Sequence, residues 1–275
     1  MNKKELLENK IFLYEIFYKY IQNYKDDYER DKYLPKNLIK FYYSVTDNVE
    51  FDTLKKSFVK KYINNESEVE LSHEEWERKG LKEMYKFIHE YDTDKMDIYT
   101  ILELHEQLYK YAPNKEFGGH FRNSDAHICN SQANLMEWSL IRYELIKLKS
   151  YTNELIQRGK ELNIKDNFDE LFKYIEECVI LNADLIRIHP FYDGNGRCIR
   201  GFTNMFFELA NIPPIYILAN EKEKYKKTIK KTDEGIYDDL INFYYYKICD
   251  SIIELGYKKI KKDNDKALKL LKDKE

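Results

Sequence analysis

A short segment in the second half of the chain concentrates side chains that could carry out chemistry. Residues 188–201 read IHPFYDGNGRCIRG and combine a histidine, a carboxylate, a glycine-flanked asparagine and two arginines three positions apart. Successive backbone N–H groups across Gly194, Asn195 and Gly196, at the start of a helix, would form a concave array of donors suited to anionic oxygens. We therefore expect this segment to bind phosphate.

The charged side chains around this array indicate which phosphate compound it would bind. Arg197 and Arg200 are three residues apart on the predicted helix, so both guanidinium groups can reach the same phosphates. Asp193 would repel a phosphate unless a hard cation lay between them, and Mg²⁺ commonly bridges a carboxylate to nucleotide phosphates. Histidine suits general-base catalysis near neutral pH, which makes His189 the candidate base. The pattern predicts transfer from a magnesium-bound nucleotide to a hydroxyl group.

Two helices must hold this segment in place. Apolar residues recur at helical spacing and predict a helix over residues 168–188 with one buried stripe. A second helix should begin at Asn195 or Gly196 and end before Pro213. The residues with chemical potential therefore lie in a loop between two core helices.

The composition of the whole chain favours an all-α fold. Only nine glycines and five prolines interrupt 275 residues, and most apolar positions repeat at helical rather than alternating spacing. Residues 114–132, NKEFGGHFRNSDAHICNSQ, break this pattern with turn residues and a short alternating run. We expect this stretch to form a β-hairpin or flap.

The charge balance and the cysteines narrow the class of protein. Lys and Arg number 46 against 49 Asp and Glu, a net charge of −3, so no basic field indicates nucleic-acid binding. The four cysteines lack metal-ligand spacing and fit a reduced cytosol. No apolar run approaches the roughly 20 residues of a membrane span. We expect a cytoplasmic protein that binds neither nucleic acid nor membrane.

The segment HPFYDGNGRCIR resembles a known family, because it matches in full the signature HPFx(D/E)GNGRxxR of the Fic, or Fido, domain. Residues 104–122 and residues 223–245 also resemble that family. The resemblance implies a Fic-fold helical bundle with a small β-hairpin flap. It divides the chain into an N-terminal helical region over residues 1–96, a catalytic domain over 97–245, and a C-terminal helix with a charged tail over 246–275.

The resemblance implies a protein adenylyltransferase, which moves AMP from ATP to a Ser, Thr or Tyr hydroxyl of a target protein or of itself, with Mg²⁺. By the family pattern His189 is the base and Asp193 holds the metal. The glycine amides and Asn195 hold the α- and β-phosphates, and Arg200 takes the γ-phosphate. The nucleotide-binding set is then Asp193, Gly194, Asn195, Gly196, Arg197, Arg200 and Tyr225. Homodimers are frequent in the family, so the resemblance also implies a homodimer.

Two further parts of the chain receive roles from the resemblance. The flap would clamp the modified segment of the target by adding a strand to it. Its target-docking residues would be Arg122, Ala126, His127, Ile128 and Cys129. Tyr225 and Lys226 occupy the place where family members line the adenine pocket, often with two aromatics, and Lys226 departs from that pattern.

Many members of the family carry an inhibitory helix with the pattern (S/T)xxxE(G/N), whose glutamate pairs with the second arginine of the signature. Thr46 and Glu50 fit this spacing within a helix expected at about residues 44–62, although Phe51 stands where the family has Gly or Asn. Glu154, four residues after a serine, fits the loose spacing too. We favour Glu50, because Val49 precedes it and the segment DTL at residues 52–54 follows it, as a small polar run does in family members with an N-terminal inhibitory helix.

Three other functions stay open at this level. The same site could hydrolyse AMP from a modified protein, with the glutamate aligning water. It could also transfer phosphate or another nucleotide. From a different class, the chain could be a non-catalytic nucleotide-sensing interaction module, which would bind ATP without leaving a covalent label.

Overall fold

A computed structural model of the chain describes residues 63–64, 75–126, 135–162, 168–210, 212 and 214–252. Between residues 75 and 252, the described part contains seven α-helices, four short 3₁₀ helices and no β-strand. The α-helices are α1 Glu75–Glu90, α2 Thr100–Tyr109, α3 Ile141–Glu161, α4 Phe168–Ile188, α5 Asn195–Leu209, α6 Lys222–Thr232 and α7 Asp238–Ile252. The prediction of an all-α fold is confirmed.

The two helices predicted on either side of the signature are also confirmed. Helix α4 spans Phe168–Ile188 and α5 spans Asn195–Leu209, so the segment between them is a loop. Helix α5 contacts α1, α2, α3 and α4, and every residue from Arg197 to Phe207 is buried. Burial of each large apolar side chain in this helix contributes about 1.5–3 kcal/mol. The start of α5, where phosphate binding is expected, therefore belongs to a helix that is fixed in the core on several sides.

Helix α1 lies unusually close to α2. A Cβ atom added to Gly80 would lie 1.9 Å from the carbonyl oxygen of Leu108, so no larger residue fits at that crossing. Only the absence of a side chain allows the two backbones to approach so closely. This contact fixes the first turn of α1, which carries Trp76 and Glu77, against the loop between α4 and α5.

Several of the predicted features lie outside the described residues. These are the inhibitory segment at about residues 44–62 with Thr46 and Glu50, the flap residues His127, Ile128 and Cys129, and the tail after residue 252. The described part of the stretch expected to form the flap, residues 114–126, forms no strand. Helix α7 continues past residue 245, where the catalytic domain was expected to end. Among the described helices, none has the length and apolar composition needed to cross a membrane.

Candidate active site

The loop between α4 and α5 is held in a backbone conformation that few residue types adopt. His189 has φ 51° and is the only described non-glycine residue with positive φ. Such a conformation costs on the order of 1–3 kcal/mol for most residues, and histidine tolerates it better than bulky or β-branched residues do. Gly194 precedes the first residue of α5 with φ 77°, and a Cβ there would lie 3.0 Å from Leu108. The loop thus turns sharply at both ends.

The side chain of Asn195 makes two hydrogen bonds across the loop between α4 and α5. Its side-chain Oδ1 accepts a hydrogen bond from the backbone N–H of Phe191 at 2.9 Å, and its Nδ2 donates to the Phe191 carbonyl at 2.8 Å. Phe191 is fully buried and stacks on the ring of His105 at a centroid distance of 3.9 Å and 8° between planes. The side chain of Asn195 therefore shapes the loop, and its contact with phosphate stays a prediction.

Arg122, at the start of the flap, clamps the loop to the rest of the molecule. Its Nε donates to the carbonyl of His189 at 2.8 Å, and its backbone N–H donates to the carbonyl of Pro190 at 2.9 Å. The same guanidinium also donates to the carbonyls of Ser124, at 3.2 Å, and Met136. Arg122 is buried, and burial lowers its pKa. These contacts hold the backbone of the candidate base, while the expected docking of a target by Arg122 stays a prediction.

Arg197 is paired with carboxylates on both sides. Its Nη1 lies 3.1 Å from Oε1 of Glu77 in α1, and its Nη2 lies 3.4 Å from Oδ2 of Asp193. The side chain of Arg197 is only 3% exposed. Breaking such a buried pair by removing one partner costs about 3–5 kcal/mol, because it leaves an uncompensated charge. Glu77 is therefore a part of the site that the sequence reading missed.

His105 in α2 is a second residue that the sequence reading did not single out. Its Nδ1 must accept the hydrogen bond from the backbone N–H of Gly119, at 3.1 Å, so that nitrogen carries no proton. Its Nε2 then donates to the carbonyl of Asp193, also at 3.1 Å. Burial lowers the pKa of His105 to about 4 although the Asp193 carbonyl and carboxylate act in the opposite direction. A neutral imidazole thus joins Gly119, in the stretch expected to form the flap, to the loop between α4 and α5.

The structure brings two of the predicted nucleotide-binding residues, Arg200 in α5 and Tyr225 in α6, next to each other. Arg200 is a fully buried side chain, and its guanidinium carbon lies 5.8 Å from the ring centroid of Tyr225 in α6. An aromatic face favours a guanidinium held in this way. Arg197 and Arg200 are both almost completely buried, at 3% and 2% exposure.

Asp193 offers its carboxylate to solvent. Its side chain is 67% exposed, with Oδ2 accepting a hydrogen bond from the hydroxyl of Tyr109 at 3.2 Å. Burial, and then the charge of Asp193, raises the pKa of Tyr109, so this hydroxyl stays a donor. Among the described residues, no cluster of three or more His, Cys, Asp or Glu could hold a metal ion. A single accessible carboxylate suits Mg²⁺ that takes its other ligands from phosphates and water.

Comparisons with known proteins agree with the signature. Residues 95–207 match the profile of the Fic/DOC family. Over 171 residues the chain is 28% identical to the protein adenylyltransferase Fic of Aedes aegypti, a match that covers 60% of this chain and 30% of that relative. The matched segment therefore spans less than a third of the curated relative.

Two solved structures are similar in fold. Fic-1 from C. elegans superposes with a TM-score of 0.63 and 15% identity, covering 90% of this chain and 74% of the other. A Fic domain containing signaling protein from Bacteroides thetaiotaomicron gives a TM-score of 0.54 and 16% identity, covering 90% of this chain and 95% of the other. At these identities the likeness shows the fold.

Proposed function

We propose that this chain, whose residues 95–207 match the Fic/DOC family, transfers AMP from ATP to a Ser, Thr or Tyr hydroxyl of a protein, itself included. The observation that carries the proposal is the loop between α4 and α5. It joins a histidine held at φ 51° to a glycine-flanked helix start and to two buried arginines.

His189 would act as the general base. Its imidazole would take the proton of the acceptor hydroxyl while the hydroxyl oxygen attacks the α-phosphorus of ATP. The bond from the α-phosphorus to the oxygen that bridges to the β-phosphate then breaks, and pyrophosphate leaves. The backbone clamp by Arg122 supports this role, because a base must keep its position relative to the attacking oxygen.

The start of α5 would bind the phosphates. Its first backbone N–H groups, at Asn195 and Gly196, point out of the helix end, where the helix dipole favours negative charge. Arg197 would support the phosphates and Arg200 would take the γ-phosphate, with Tyr225 next to it. Asp193 would hold Mg²⁺, which supplies charge neutralisation on the phosphates.

We further propose that Glu50, in the segment that includes Thr46, restrains Arg200 in the resting enzyme. The spacing of Thr46 and Glu50 supports this, because it fits the inhibitory pattern of the family, whose glutamate pairs with the second arginine of the signature. While it pairs with Glu50, Arg200 would not receive the γ-phosphate in the productive position. The enzyme would then be autoinhibited until that contact is released.

Labelling with ATP tests the proposed reaction. The purified protein is incubated with Mg²⁺ and ATP carrying a radiolabel at either the α- or the γ-phosphorus. Covalent label from the α-phosphorus alone supports AMP transfer, and label from the γ-phosphorus shows phosphate transfer instead. Release of AMP from a modified protein without forward labelling would identify a hydrolase. ATP binding without any label would identify a nucleotide sensor.

A further inference from the structure

A pocket of about 180 Å³ lies between α1, α2 and the loop that connects α4 to α5. Four aromatic side chains line it, Trp76, Tyr109, Phe117 and Tyr192, together with the carboxylate residue Asp193. Of the residues expected to bind the nucleotide, only Asp193 contributes to this lining. The pocket is therefore distinct from the proposed nucleotide-binding site and adjoins it at Asp193, the proposed metal ligand.

The aromatic rings of the pocket are arranged in two pairs. Trp76 and Tyr109 have ring centroids 5.8 Å apart, and Phe117 and Tyr192 are also 5.8 Å apart with 66° between their planes. Phe117 and Tyr192 are 43% and 40% exposed, so much of their ring surface is in contact with solvent. Large aromatic side chains that remain exposed around a pocket often mark a binding surface.

The charges around the pocket favour a cation. Arg197 is shared between Glu77 and Asp193, so two carboxylates surround one guanidinium and a net negative charge remains. His105, the histidine in the lining, is neutral because its Nδ1 accepts from the N–H of Gly119. Faces of Trp, Tyr and Phe attract ammonium and guanidinium groups, and a nearby carboxylate adds to that attraction.

The size and position of the pocket indicate what kind of cation enters. At about 180 Å³ it is smaller than the roughly 300–1,000 Å³ of pockets that enclose whole small molecules, and it suits one side chain. A second, open groove of about 460 Å³ continues from it along the start of the flap and shares Phe117 and Tyr192. A polypeptide in that groove could place one residue in the pocket.

We propose that the aromatic pocket, defined by Trp76, Tyr109, Phe117, Tyr192 and Asp193, receives a lysine or arginine side chain of the protein target. This inference rests on the proposed function, because it names a feature of the substrate for AMP transfer. Magnesium-bound ATP is itself a net anion, so the nucleotide attracts a cationic side chain in the pocket. The pocket would select targets that carry a basic residue near the modified hydroxyl.

A binding measurement tests the pocket without any turnover. The chain has two tryptophans, so Trp138→Phe leaves Trp76 as the only one. The fluorescence of this variant is titrated with N-acetyl-lysine amide, N-acetyl-arginine amide and, as the uncharged match to lysine, N-acetyl-norleucine amide. We expect a saturable change with the two cations and a much weaker one with norleucine. The converse variant, Trp76→Phe, reports from Trp138 and should show no saturable change.

Phe117→Ala in the Trp138→Phe background removes one exposed ring. We expect it to weaken binding of the lysine and arginine amides by about threefold to thirtyfold, the range for a cation over one aromatic face. Equal responses to lysine and norleucine, or no saturable response to either cation, would overturn the proposal. An unchanged affinity in the Phe117→Ala variant would also overturn it.

A labelling measurement then separates this inference from the proposed function. Acceptor peptides carry one Tyr, Ser or Thr, with lysine or norleucine placed at each neighbouring position in turn. The rate of AMP incorporation should be about tenfold higher for lysine at one particular offset, and Phe117→Ala should reduce that ratio towards one. AMP transfer with no preference for lysine contradicts the pocket and leaves the proposed function standing. A protein that transfers no AMP but binds the cations contradicts the proposed function and the selection of AMP-transfer targets by the pocket, and it leaves only the preference of the pocket for cations standing.

Discussion

The backbone of His189 is held by a hydrogen bond from Arg122, so substitution of its side chain tests the role of the imidazole alone. Replacement by Ala or by Asn removes the imidazole, and Asn tolerates positive φ far better than Ala does. We expect both variants to bind ATP nearly as well as the wild type and to lose about 10²–10⁴-fold in the rate of AMP transfer. The measurement is label incorporation at saturating ATP, with nucleotide binding followed separately. Unchanged labelling in His189→Asn would contradict the role of base.

His105 should make the fold sensitive to acid. Its pKa is lowered to about 4 in the folded protein by burial, from about 6.5 in the unfolded chain. Below pH 6.5 the unfolded state therefore binds more protons than the folded state, and stability falls as the pH drops towards 4. Between pH 7 and pH 5 this group should remove on the order of 2 kcal/mol from the free energy of unfolding.

The variant His105→Gln serves as the control for that pH dependence. Glutamine has an acceptor and a donor for Gly119 and Asp193 but does not titrate in this range. Urea unfolding at pH 7 and at pH 5 gives the free energies to be compared. We expect the loss between the two pH values to be smaller in the variant by about 2 kcal/mol. An equal loss in both proteins would show that other groups cause the acid sensitivity.

At the scale of elements, α1 supports α5 through one buried ion pair. Glu77→Gln keeps the shape of the side chain and removes its charge, so Arg197 retains Asp193 as its charged partner in this cluster. We expect a loss of about 1.5–3 kcal/mol in the free energy of unfolding, the value of a charge-assisted hydrogen bond. Because Arg197 is also a proposed phosphate ligand, the Michaelis constant for ATP should rise.

Glu75 provides the matched control for this prediction. It lies in the same turn of α1 and pairs with Lys79, but both side chains are largely exposed. Exposed pairs of this kind contribute less than about 1 kcal/mol. Glu75→Gln should therefore change neither stability nor the Michaelis constant for ATP measurably. Equal effects of the two substitutions, measured by urea unfolding and by ATP titration, would mean that the pair with Arg197 has no special role.

The inhibitory segment is tested by comparing two glutamates. If Glu50 restrains Arg200, Glu50→Gly should raise productive ATP binding by about tenfold to a hundredfold, since a charge-assisted contact is worth about 1.5–3 kcal/mol. Glu154→Gly is the control, because Glu154 fits the same loose spacing but lies exposed on α3. Self-labelling with AMP is the measurement. Activation by Glu154→Gly alone would show that Glu50 is the wrong glutamate, and activation by neither would show that the chain does not inhibit itself.

At the scale of the whole molecule, the sequence predicts the elements better than their contacts. The bounds of α4 and α5 could be predicted because apolar periodicity, glycine and proline are local signals. The pairing of Glu77 with Arg197 could not, because it joins residues 120 positions apart. It depends on the close crossing of α1 and α2 at Gly80, which no local pattern indicates.

The contacts around the candidate base could not be predicted from the sequence either. The motif indicates His189 and Asp193 by type and spacing, whereas Arg122 and His105 act through backbone carbonyls of the loop. Hydrogen bonds to carbonyls leave no trace in residue patterns, because every residue has a carbonyl group. His105 carries one weak signal, since it is a polar residue among the buried positions of α2.

The measurement that tests the central claim most directly is the mass of the intact protein after incubation with Mg²⁺ and ATP. The Glu50→Gly variant should gain the mass of one or more AMP groups, and the same variant carrying His189→Asn should gain none. The wild type should gain less than Glu50→Gly. A gain equal to phosphate, or an equal gain of AMP with and without His189, would contradict AMP transfer by this site.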